Sequence, residues 1–508
     1  TTSHQFTLSA LTPATTYHFQ CVVVDAKGRT VRSADKTFTT LYTQRGDPPI
    51  GITAGKDPYS DTIVVTWNTD TGADLNGYFL YKGPTEQGPF IVVDPKVLTA
   101  PRYLDTNVNP GEPAFYRVTR VSGTGEESPP SKVVSFLLPG IIRGNVEWRP
   151  EMGPILLTGD LTVRQDTTLT IMSGVNVGIA SADYWDTEST SDKKVEIKVF
   201  GALVVSGTSA SPVKMTSLSA SPQAGDWIGI TFYPTSNLSV SQITNLHVAF
   251  ATNGINGLAG LPAISGCSVT NCSAAGIRCK EARAAVSIDT TTVDTCTSGF
   301  LIASNTNQSI SIATCTATRC FYGIVSRDNR DSRVIGNKVQ FWGLSGLDVG
   351  NASTSCQVRN NIVAPGGNGT AIVVRGLDEV RRNTVQGHVG VEIRDRARAN
   401  ILSNLILADK ARGDIGILYN GANAFAPASH TIWANDIWNQ DSAILRARDT
   451  TGAQLPLSAA QLNLDPSFEG GTPFVEFPSA AFTYKPAPGS LLKGQGYGQE
   501  DVGAINVP

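Results

Sequence analysis

A small residue followed by a large apolar one recurs at Gly276-Ile277, Gly299-Phe300, Gly323-Ile324 and Gly346-Leu347, with steps of 23, 24 and 23 residues. The same pair extends in both directions along the chain. Its further members are Gly254-Ile255, Ala371-Ile372, Gly390-Val391 and Gly416-Ile417. A period of this length, kept over so many units, predicts a solenoid in which each repeat stacks on the next.

A second pattern, Asn-x-Ile or Asn-x-Val, shares this period. It occurs at Asn337-Lys-Val339, Asn360-Asn-Ile362, Asn383-Thr-Val385, Asn404-Leu-Ile406 and Asn435-Asp-Ile437. Asparagines stacked at one turn of each coil can form an amide ladder, as they do in other cross-strand arrays. We therefore predict a structural ladder of Asn337, Asn360, Asn383, Asn404 and Asn435. The repeat glycines are expected to permit the sharp corner that begins each strand.

The physics of a single repeat supports a parallel β-helix. One coil cannot bury its own apolar face, but coils stacked at roughly 4.8 Å pair every strand with its neighbours and close a continuous core. About 300 residues at this step give ~13 coils and a rod of roughly 60 Å. Short alternating strands such as Leu161-x-Val163 and Leu169-x-Ile171 extend the pattern upstream to about Ile141.

Composition limits the class of protein. Only 16% of the residues are charged and the formal net charge is -3, which argues against nucleic-acid binding because that function needs a basic face. The chain has 49 glycines and few long stretches of helical period, so we expect an all-β protein. No run of 18 apolar residues occurs, and no membrane span is predicted.

The first part of the chain has a different pattern. Leu11-Thr-Pro-Ala-Thr-Thr-Tyr17 precedes a strand, Val64-Val-Thr-Trp67 supplies a core tryptophan, and Gly77-Tyr-Phe-Leu-Tyr81 and Phe115-Tyr-Arg-Val118 follow. These motifs resemble fibronectin type III modules, and the first is similar to the tyrosine corner of that family. The resemblance implies a partial module at 1–42 and a complete module at 47–138.

The repeat region resembles the β-helices of bacterial secreted and cell-surface proteins with pectate-lyase-like architecture. Its closing segments Asp465-Pro-Ser-Phe468 and Asp501-Val-Gly503 are similar to the ends of such proteins. We therefore predict an all-β chain: two fibronectin type III-like sandwiches, the first partial, then a right-handed parallel β-helix over 141–461. A C-terminal cap over 462–508 is expected to cover the last strand edges. The resemblance implies an extracellular or cell-surface location.

Seven of the eight cysteines lie between Cys267 and Cys356. Three of them, Cys272, Cys296 and Cys320, have nearly the same position relative to the repeat glycine and should stack on consecutive coils. Two interpretations stay open: a column of buried thiols, or a disulfide between neighbouring coils, Cys272–Cys296 or Cys296–Cys320. No cysteine or histidine spacing suits a metal, so we predict no metal and no cofactor.

An enzyme must be considered, because hydrolases and lyases share this architecture. The Asp-Asp pair and the Gly-His-Gly motif of the hydrolases are absent from the sequence, and no catalytic residues are predicted. Arg327, Arg375 and Arg394 all lie four residues after their repeat position, and Asp395 follows the last of them. This arginine stripe has three interpretations: a solvated ion-pair ladder, a site for acidic glycans or other anions, or part of a polysaccharide lyase.

The sequence favours an extracellular structural or adhesive surface protein, a non-catalytic β-helical rod on fibronectin-like spacers. The alternative is a polysaccharide lyase or acidic-glycan-binding protein that uses the arginine stripe. Expected partners are surface polysaccharide or the protein itself, in a filament or surface layer. If Thr1 is a mature terminus, a neighbouring subunit could complete the first module by adding strands. Otherwise the numbering begins inside a domain of a longer protein.

Overall fold

A computed structural model defines the architecture of the 508-residue chain. It describes residues 8, 11, 15–40, 46–185, 193–303, 308–350, 355–364, 367–376, 378–394, 397–407, 414–420, 431–438, 447–449, 490–495 and 501–503. The chain divides into two compact units. One consists of residues 1–106 and 114–136, and the other of residues 107–113 and 137–508.

The first segment of the chain forms two antiparallel pairs of short strands. Tyr17, from the motif similar to a tyrosine corner, stacks on Phe38 with ring centroids 5.7 Å apart. The pairs are Thr16–Phe19 with Lys36–Thr39 and Val22–Val24 with Thr30–Arg32.

Two antiparallel sheets form the fibronectin type III-like module that follows. Trp67 and Tyr78 are buried between them, with ring centroids 5.3 Å apart in an edge-to-face arrangement. The Tyr116 hydroxyl donates to Asp105 at 2.7 Å in the same interior. The strands of the first sheet are Thr53–Lys56, Ile63–Thr66 and Arg102–Asp105, and those of the second are Leu75–Gly83, Ile91–Val92, Pro113–Ser122 and Val134–Leu137.

The second unit is a right-handed parallel β-helix of three long sheets. The first sheet contains Gly140–Ile142, Leu161–Val163, Glu196–Val199, Gly229–Phe232, Asn253–Gly257, Ala275–Cys279, Ser298–Ala303, Tyr322–Arg327, Ser345–Gly350, Thr370–Val374, Val389–Arg394, Ile415–Asn420 and Ala447–Asp449. The second contains Val146–Trp148, Thr168–Met172, Ala202–Ser206, Gln242–Thr244, Ala263–Ser265, Val286–Asp289, Ser309–Ala313, Arg330–Ile335, Cys356–Arg359, Glu379–Arg381, Asn400–Leu402 and Thr431–Trp433. The third contains Ile155–Leu157, Asn176–Ile179, Val213–Ser217, Leu246–Ala249, Ser268–Thr270, Thr292–Asp294, Thr316–Thr318, Lys338–Gln340, Ile362–Val363, Thr384–Gln386, Leu405–Leu407 and Asp436–Trp438. One 3-10 turn, Pro150–Met152, interrupts the strands of the first coil.

The apolar member of each repeat pair forms one column in the core. Parallel pairing places these side chains directly above one another on the inner face of the first sheet, and each is 0% exposed. Burial of each contributes about 2 kcal/mol of apolar transfer free energy. The apolar residue of each sequence repeat is therefore a core residue, as expected for stacked coils. The column is Ile230, Ile255, Ile277, Phe300, Ile324, Leu347, Ile372, Val391 and Ile417.

The repeat glycines have a different role from the one that we predicted. Their φ angles lie outside the left-handed region, so they do not form the corners. A Cβ on Gly299 would lie 2.4 Å from the carbonyl oxygen of Gly323, and a Cβ on Gly323 would lie 2.4 Å from that of Gly346. Close approach of successive coils, rather than backbone freedom, requires a small residue there.

The corners instead fall on residues with φ between 45° and 68°, most of them not glycine. At the turn from the second to the third sheet they are Asn245, Gly266, Thr290, Thr314, Gly336, Asn360, Arg382, Ser403 and Ala434. At the turn from the third to the first sheet they are Phe250, Asn271, Thr295, Arg319 and Phe341. The residue after each corner turns its side chain inward, so two further columns run along the solenoid.

The first of these columns is the asparagine ladder, with one correction. Asn361, not Asn360, occupies the ladder in its coil, because Asn360 is the exposed corner residue with φ of 55°. Each ladder Oδ1 accepts the backbone N–H of the preceding member at 2.9 Å, and each Nδ2 donates to a buried carbonyl. The members are Asn337, Asn361, Asn383, Asn404 and Asn435.

The ladder also extends toward the N-terminus with other residue types. Cys315 donates its backbone N–H to Oδ1 of Asn337 at 2.9 Å, and Cys267 donates its own to Oγ1 of Thr291 at 3.3 Å. Their thiols donate to backbone carbonyls, as the asparagine amides do. Two of the clustered cysteines are thus members of this column.

Most of the predicted cap, 462–508, lies outside the described residues. In its described parts Leu492 and Val502 are fully buried, and the backbone N–H of Gly503 donates to the carbonyl of Ser403 at 2.9 Å. These parts therefore pack on the side of the solenoid. Among the described residues, no helix has the length and apolar character needed to span a bilayer.

Candidate functional site

The three arginines of the predicted stripe share one position, at or just after the C-terminal end of a strand in the first sheet. In the parallel register Arg327 pairs with Gly350. Val374 pairs with Ile393 in the next strand. Arg375 and Arg394 directly follow these two residues, so they have equivalent positions in neighbouring coils. The three arginines therefore have equivalent positions in three coils, with a glycine in the coil between the first two. Asp395, its predicted companion, lies outside the described residues.

A buried aspartate joins two of these arginines. The side chain of Asp348 is 3% exposed and accepts hydrogen bonds from Nη2 of Arg327 and from Nε of Arg375, the latter at 2.8 Å. A third bond comes from Nη2 of Arg375 at 3.3 Å. Burial alone would raise the pKa of Asp348, but the two guanidinium groups outweigh it and hold the pKa below its usual range. Asp348 is thus a fixed anion between two cations.

A second buried carboxylate binds the third arginine. Arg394 donates to both oxygens of Glu392, from Nε and from Nη2, each at 2.8 Å. Oγ1 of Thr370 at 3.1 Å and Nδ2 of Asn420 at 2.8 Å complete the set of donors. Burial opposes ionisation here too, but these hydrogen bonds lower the pKa of Glu392. Bidentate geometry of this kind is among the stronger arrangements of a salt bridge.

The two carboxylates lie on the outer face of the same sheet. Asp348 pairs with Val373, and Val373 pairs with Glu392, so two strand spacings, roughly 10 Å, separate them. A carboxylate pair that works as general acid and general base needs environments that push the two pKa values apart. Here both pKa values are lowered, so at neutral pH neither residue holds a proton to donate.

The three arginines and Asp348 line a groove of about 440 Å³. Even with Glu392, which binds Arg394, three arginines outnumber two carboxylates and give the groove a net positive charge. Oγ of Ser345 and Nε of Arg327 line it without a hydrogen-bond partner, and Ser345 is only 4% exposed. Beside the groove the ring of Phe321 packs edge-to-face on Tyr322 at 5.2 Å, and Leu344 is 49% exposed. The groove thus combines unpaired polar atoms, positive charge and apolar surface.

A further buried acid supports the turn that carries Arg375. Oδ2 of Asp378 accepts the backbone N–H groups of Arg375 at 3.0 Å and Gly376 at 2.8 Å. Burial raises the pKa of Asp378 to about 7, although the backbone N–H groups act in the opposite direction. Asp378 therefore positions the groove without facing it.

The sequence identified the arginines but not the carboxylates that bind them. Glu392 stands two residues before Arg394 on the same strand, and the alternation of a β-strand places both on one face. That signal was present in the sequence. The link between Asp348 and Arg375 crosses coils, and only the register between strands reveals it.

The second column of inward residues contains the predicted cysteine stack. Cys272, Cys296 and Cys320 each follow a left-handed corner residue on consecutive coils. The backbone N–H of Cys272 lies 3.4 Å from Sγ of Cys296. All eight cysteines of the chain are thiols in this structure.

Comparison with known families agrees with this fold. Residues 142–257 match a family described as a pectate-lyase-like β-helix domain. Residues 214–452 match a family described as periplasmic copper-binding protein (NosD). No curated protein matches the chain.

Several solved structures are similar over parts of the chain. An Fn3-like protein from Clostridium thermocellum is 29% identical over 19% of this chain and 97% of its own, with a TM-score of 0.17. A family 28 exopolygalacturonase from Yersinia enterocolitica is 9% identical over 81% of this chain and 100% of its own, with a TM-score of 0.23. Pectate lyase PelI from Erwinia chrysanthemi, in complex with tetragalacturonic acid, is 13% identical over 75% of this chain and 87% of its own, with a TM-score of 0.15.

The residues present do not fit copper, the metal that the second family description names. Copper takes thiolate, thioether and imidazole ligands. In the part of the chain that the structure describes, no group of three or more His, Cys, Asp or Glu side chains could hold a metal ion. The stacked thiols come nearest, but each Sγ lies 3.3–3.7 Å from the carbonyl two residues before it. Burial also raises the pKa of Cys320 to about 12, which keeps its proton in place.

Proposed function

We propose that this chain is an extracellular surface protein with a non-catalytic role. Parts of it match a pectate-lyase-like β-helix family and a family described as periplasmic copper-binding protein (NosD), and a fibronectin type III-like module precedes them. The β-helix acts as a structural and adhesive rod, and the fibronectin-like part acts as a spacer. The groove that Arg327, Arg375 and Arg394 line is its adhesive site and binds acidic glycans. Localisation outside the cell is part of this proposal.

The groove itself is the observation that supports a non-catalytic role. Every arginine in it contacts a carboxylate, and hydrogen bonds lower the pKa of both Asp348 and Glu392. A general acid is therefore missing from this set. A lyase would need a neutral base to take the proton next to a uronate. Arginines that are paired with buried carboxylates are poor candidates, because each guanidinium group is already engaged in charge-assisted hydrogen bonds.

The same groove supports binding of an acidic sugar. Its net positive charge favours a carboxylate or sulfate, and the unpaired Ser345 Oγ and Arg327 Nε can each form one more hydrogen bond. The aromatic surface of Phe321 and Tyr322 beside it can pack on a sugar ring. A uronic-acid glycan combines these three requirements in one repeating unit.

Calorimetric titration with oligouronates, and with a neutral oligoglucan for comparison, tests this proposal. We expect binding of the acidic oligomers only, and about tenfold weaker binding for Ser345→Ala, which equals the loss of one hydrogen bond of ~1.4 kcal/mol. Arg278→Gln is the matched control, since Arg278 lies on the same sheet two strands before the groove. Equal binding of acidic and neutral oligomers, or equal loss in the control, would refute the site.

Self-association is the second part of the proposal, and exposed apolar strands favour it. In the first segment Val22, Val23, Val24 and Val31 are 47%, 66%, 59% and 70% exposed on one pair of strands. An apolar edge of this kind is a template for strand addition by another chain. Light scattering after size exclusion should give a mass that rises with protein concentration. A single-chain mass at all concentrations would exclude the filament.

A further inference from the structure

The turn from the third to the first sheet brings three cysteines into one column. Cys272, Cys296 and Cys320 are 2%, 6% and 2% exposed, and they form the floor of an open surface groove of about 550 Å³. Successive coils place their Cα atoms roughly 4.8 Å apart. That separation lies inside the range of about 4.4–6.8 Å that a disulfide accepts.

The three thiols are not equivalent. The backbone N–H of Cys272 donates to Sγ of Cys296 at 3.4 Å, so this sulfur lies close to the preceding coil. The neighbouring thiol of Cys272, together with burial, raises the pKa of Cys296. Cys320 contacts the coil of Cys296 through a backbone N–H, while burial is the main cause of its raised pKa. In the first pair, therefore, the sulfur of Cys296 lies against the backbone of Cys272.

We propose that Cys272 and Cys296 form a disulfide that links two neighbouring coils when the chain folds in the presence of a disulfide oxidant. One deprotonated thiol attacks a sulfur of glutathione disulfide and displaces one glutathione thiolate. The second thiolate then attacks the mixed disulfide and displaces the other. Two protein thiols are oxidised, one glutathione disulfide is reduced to two glutathiones, and two protons are transferred with the electrons.

The timing of this step follows from the same contacts. In the folded chain both thiols are buried, which slows their reaction with a disulfide in solution. Before the coils close, both cysteines are exposed and reactive, so the bond forms during folding. The inference concerns the chain itself and holds whether or not the groove of Arg327 binds a glycan. It requires only an oxidising compartment, such as the cell exterior.

Refolding of the reduced, unfolded chain in a mixture of reduced and oxidised glutathione tests this pairing. Proteolysis under acidic conditions and mass spectrometry should find one linked peptide that contains Cys272 and Cys296, with the loss of two hydrogen atoms. Reduction should restore the two separate peptides. No linked peptide, a Cys296–Cys320 link, or only glutathione adducts would each overturn the proposal.

Three serine variants sharpen the result. Cys320→Ser should leave the linked peptide unchanged, whereas Cys296→Ser should abolish it. Cys279→Ser is the matched control, because Cys279 is equally buried but belongs to a strand of the first sheet. Mapping of the unaltered chain decides the question even if Cys296→Ser fails to fold.

Discussion

Replacement of Asn361 by alanine is a sharp test of the asparagine ladder. Its Oδ1 accepts the backbone N–H of Asn337 at 2.9 Å and the Nδ2 of the same residue at 3.0 Å. Its Nδ2 donates to the carbonyl of Val334 at 2.8 Å and to Oδ1 of Asn383 at 2.9 Å. Alanine leaves two donors of Asn337 and the Val334 carbonyl without these partners, in a site that is 0% exposed.

The cost follows from these lost contacts. Each buried group without a partner costs about 1–3 kcal/mol, and the amide of Asn383 keeps its bond to the backbone of residue 361. We therefore expect Asn361→Ala to reduce the free energy of unfolding by about 4 kcal/mol. Urea unfolding followed by circular dichroism gives this value from the shift of the midpoint at constant slope.

The neighbouring Asn360 supplies the matched control. It is exposed and adopts φ of 55°, which glycine accepts without strain. Asn360→Gly should change the free energy of unfolding by less than about 0.5 kcal/mol. The ladder would be refuted if Asn361→Ala cost under about 1 kcal/mol, or if the two variants were equally destabilised.

Three further substitutions test other parts of the structure. Asp348→Asn should destabilise the fold by about 3 kcal/mol, because it leaves the cations of Arg327 and Arg375 without their buried anion. Thermal unfolding measures this, and an unchanged midpoint would argue against a stabilising role for these ion pairs. The pKa of Asp378 is raised from 3.8 to about 7, so between these two pH values the folded state keeps a proton that the unfolded state has lost. The free energy of unfolding that this group contributes therefore falls by about 1.4 kcal/mol per pH unit as the pH rises from about 4 to about 7. Asp378→Asn should remove that slope in urea midpoints measured against pH, and a slope that persists would assign it to another group. Gly323→Ala places a methyl 2.4 Å from the next coil's carbonyl and should cost about 3 kcal/mol in the same unfolding assay; a neutral effect would mean that the coils can separate.

Much of the fold could be predicted from the sequence, because equivalent positions in successive coils have the same surroundings and therefore carry the same type of residue. The column from Ile277 to Leu347 is apolar in each repeat, since every coil buries the same position. The role of the glycines could not be read in this way. A glycine is needed at 299 because the carbonyl of Gly323 in the next coil lies against it. The distance between two neighbouring strands cannot be predicted from the residues around Gly299 in the sequence.

Adjacent asparagines set a similar limit. Asn360 and Asn361 share one dipeptide, and only the corner conformation decides which of them enters the ladder. In the groove, Arg327 and Arg394 were visible as periodic cations, but Asp348 contacts arginines of two other coils. Contacts between coils depend on register, which varies here because the repeats differ in length.

The most direct test of the central claim is incubation of the protein with polygalacturonate, alginate and chondroitin sulfate, with product formation and binding followed together. Unsaturated products are detected by ultraviolet absorbance and hydrolytic products by new reducing ends. A non-catalytic adhesive rod predicts saturable binding of at least one acidic polysaccharide with no product above the buffer control. Turnover by the unaltered protein that is lost in Arg394→Ala would contradict it and assign the groove a catalytic role.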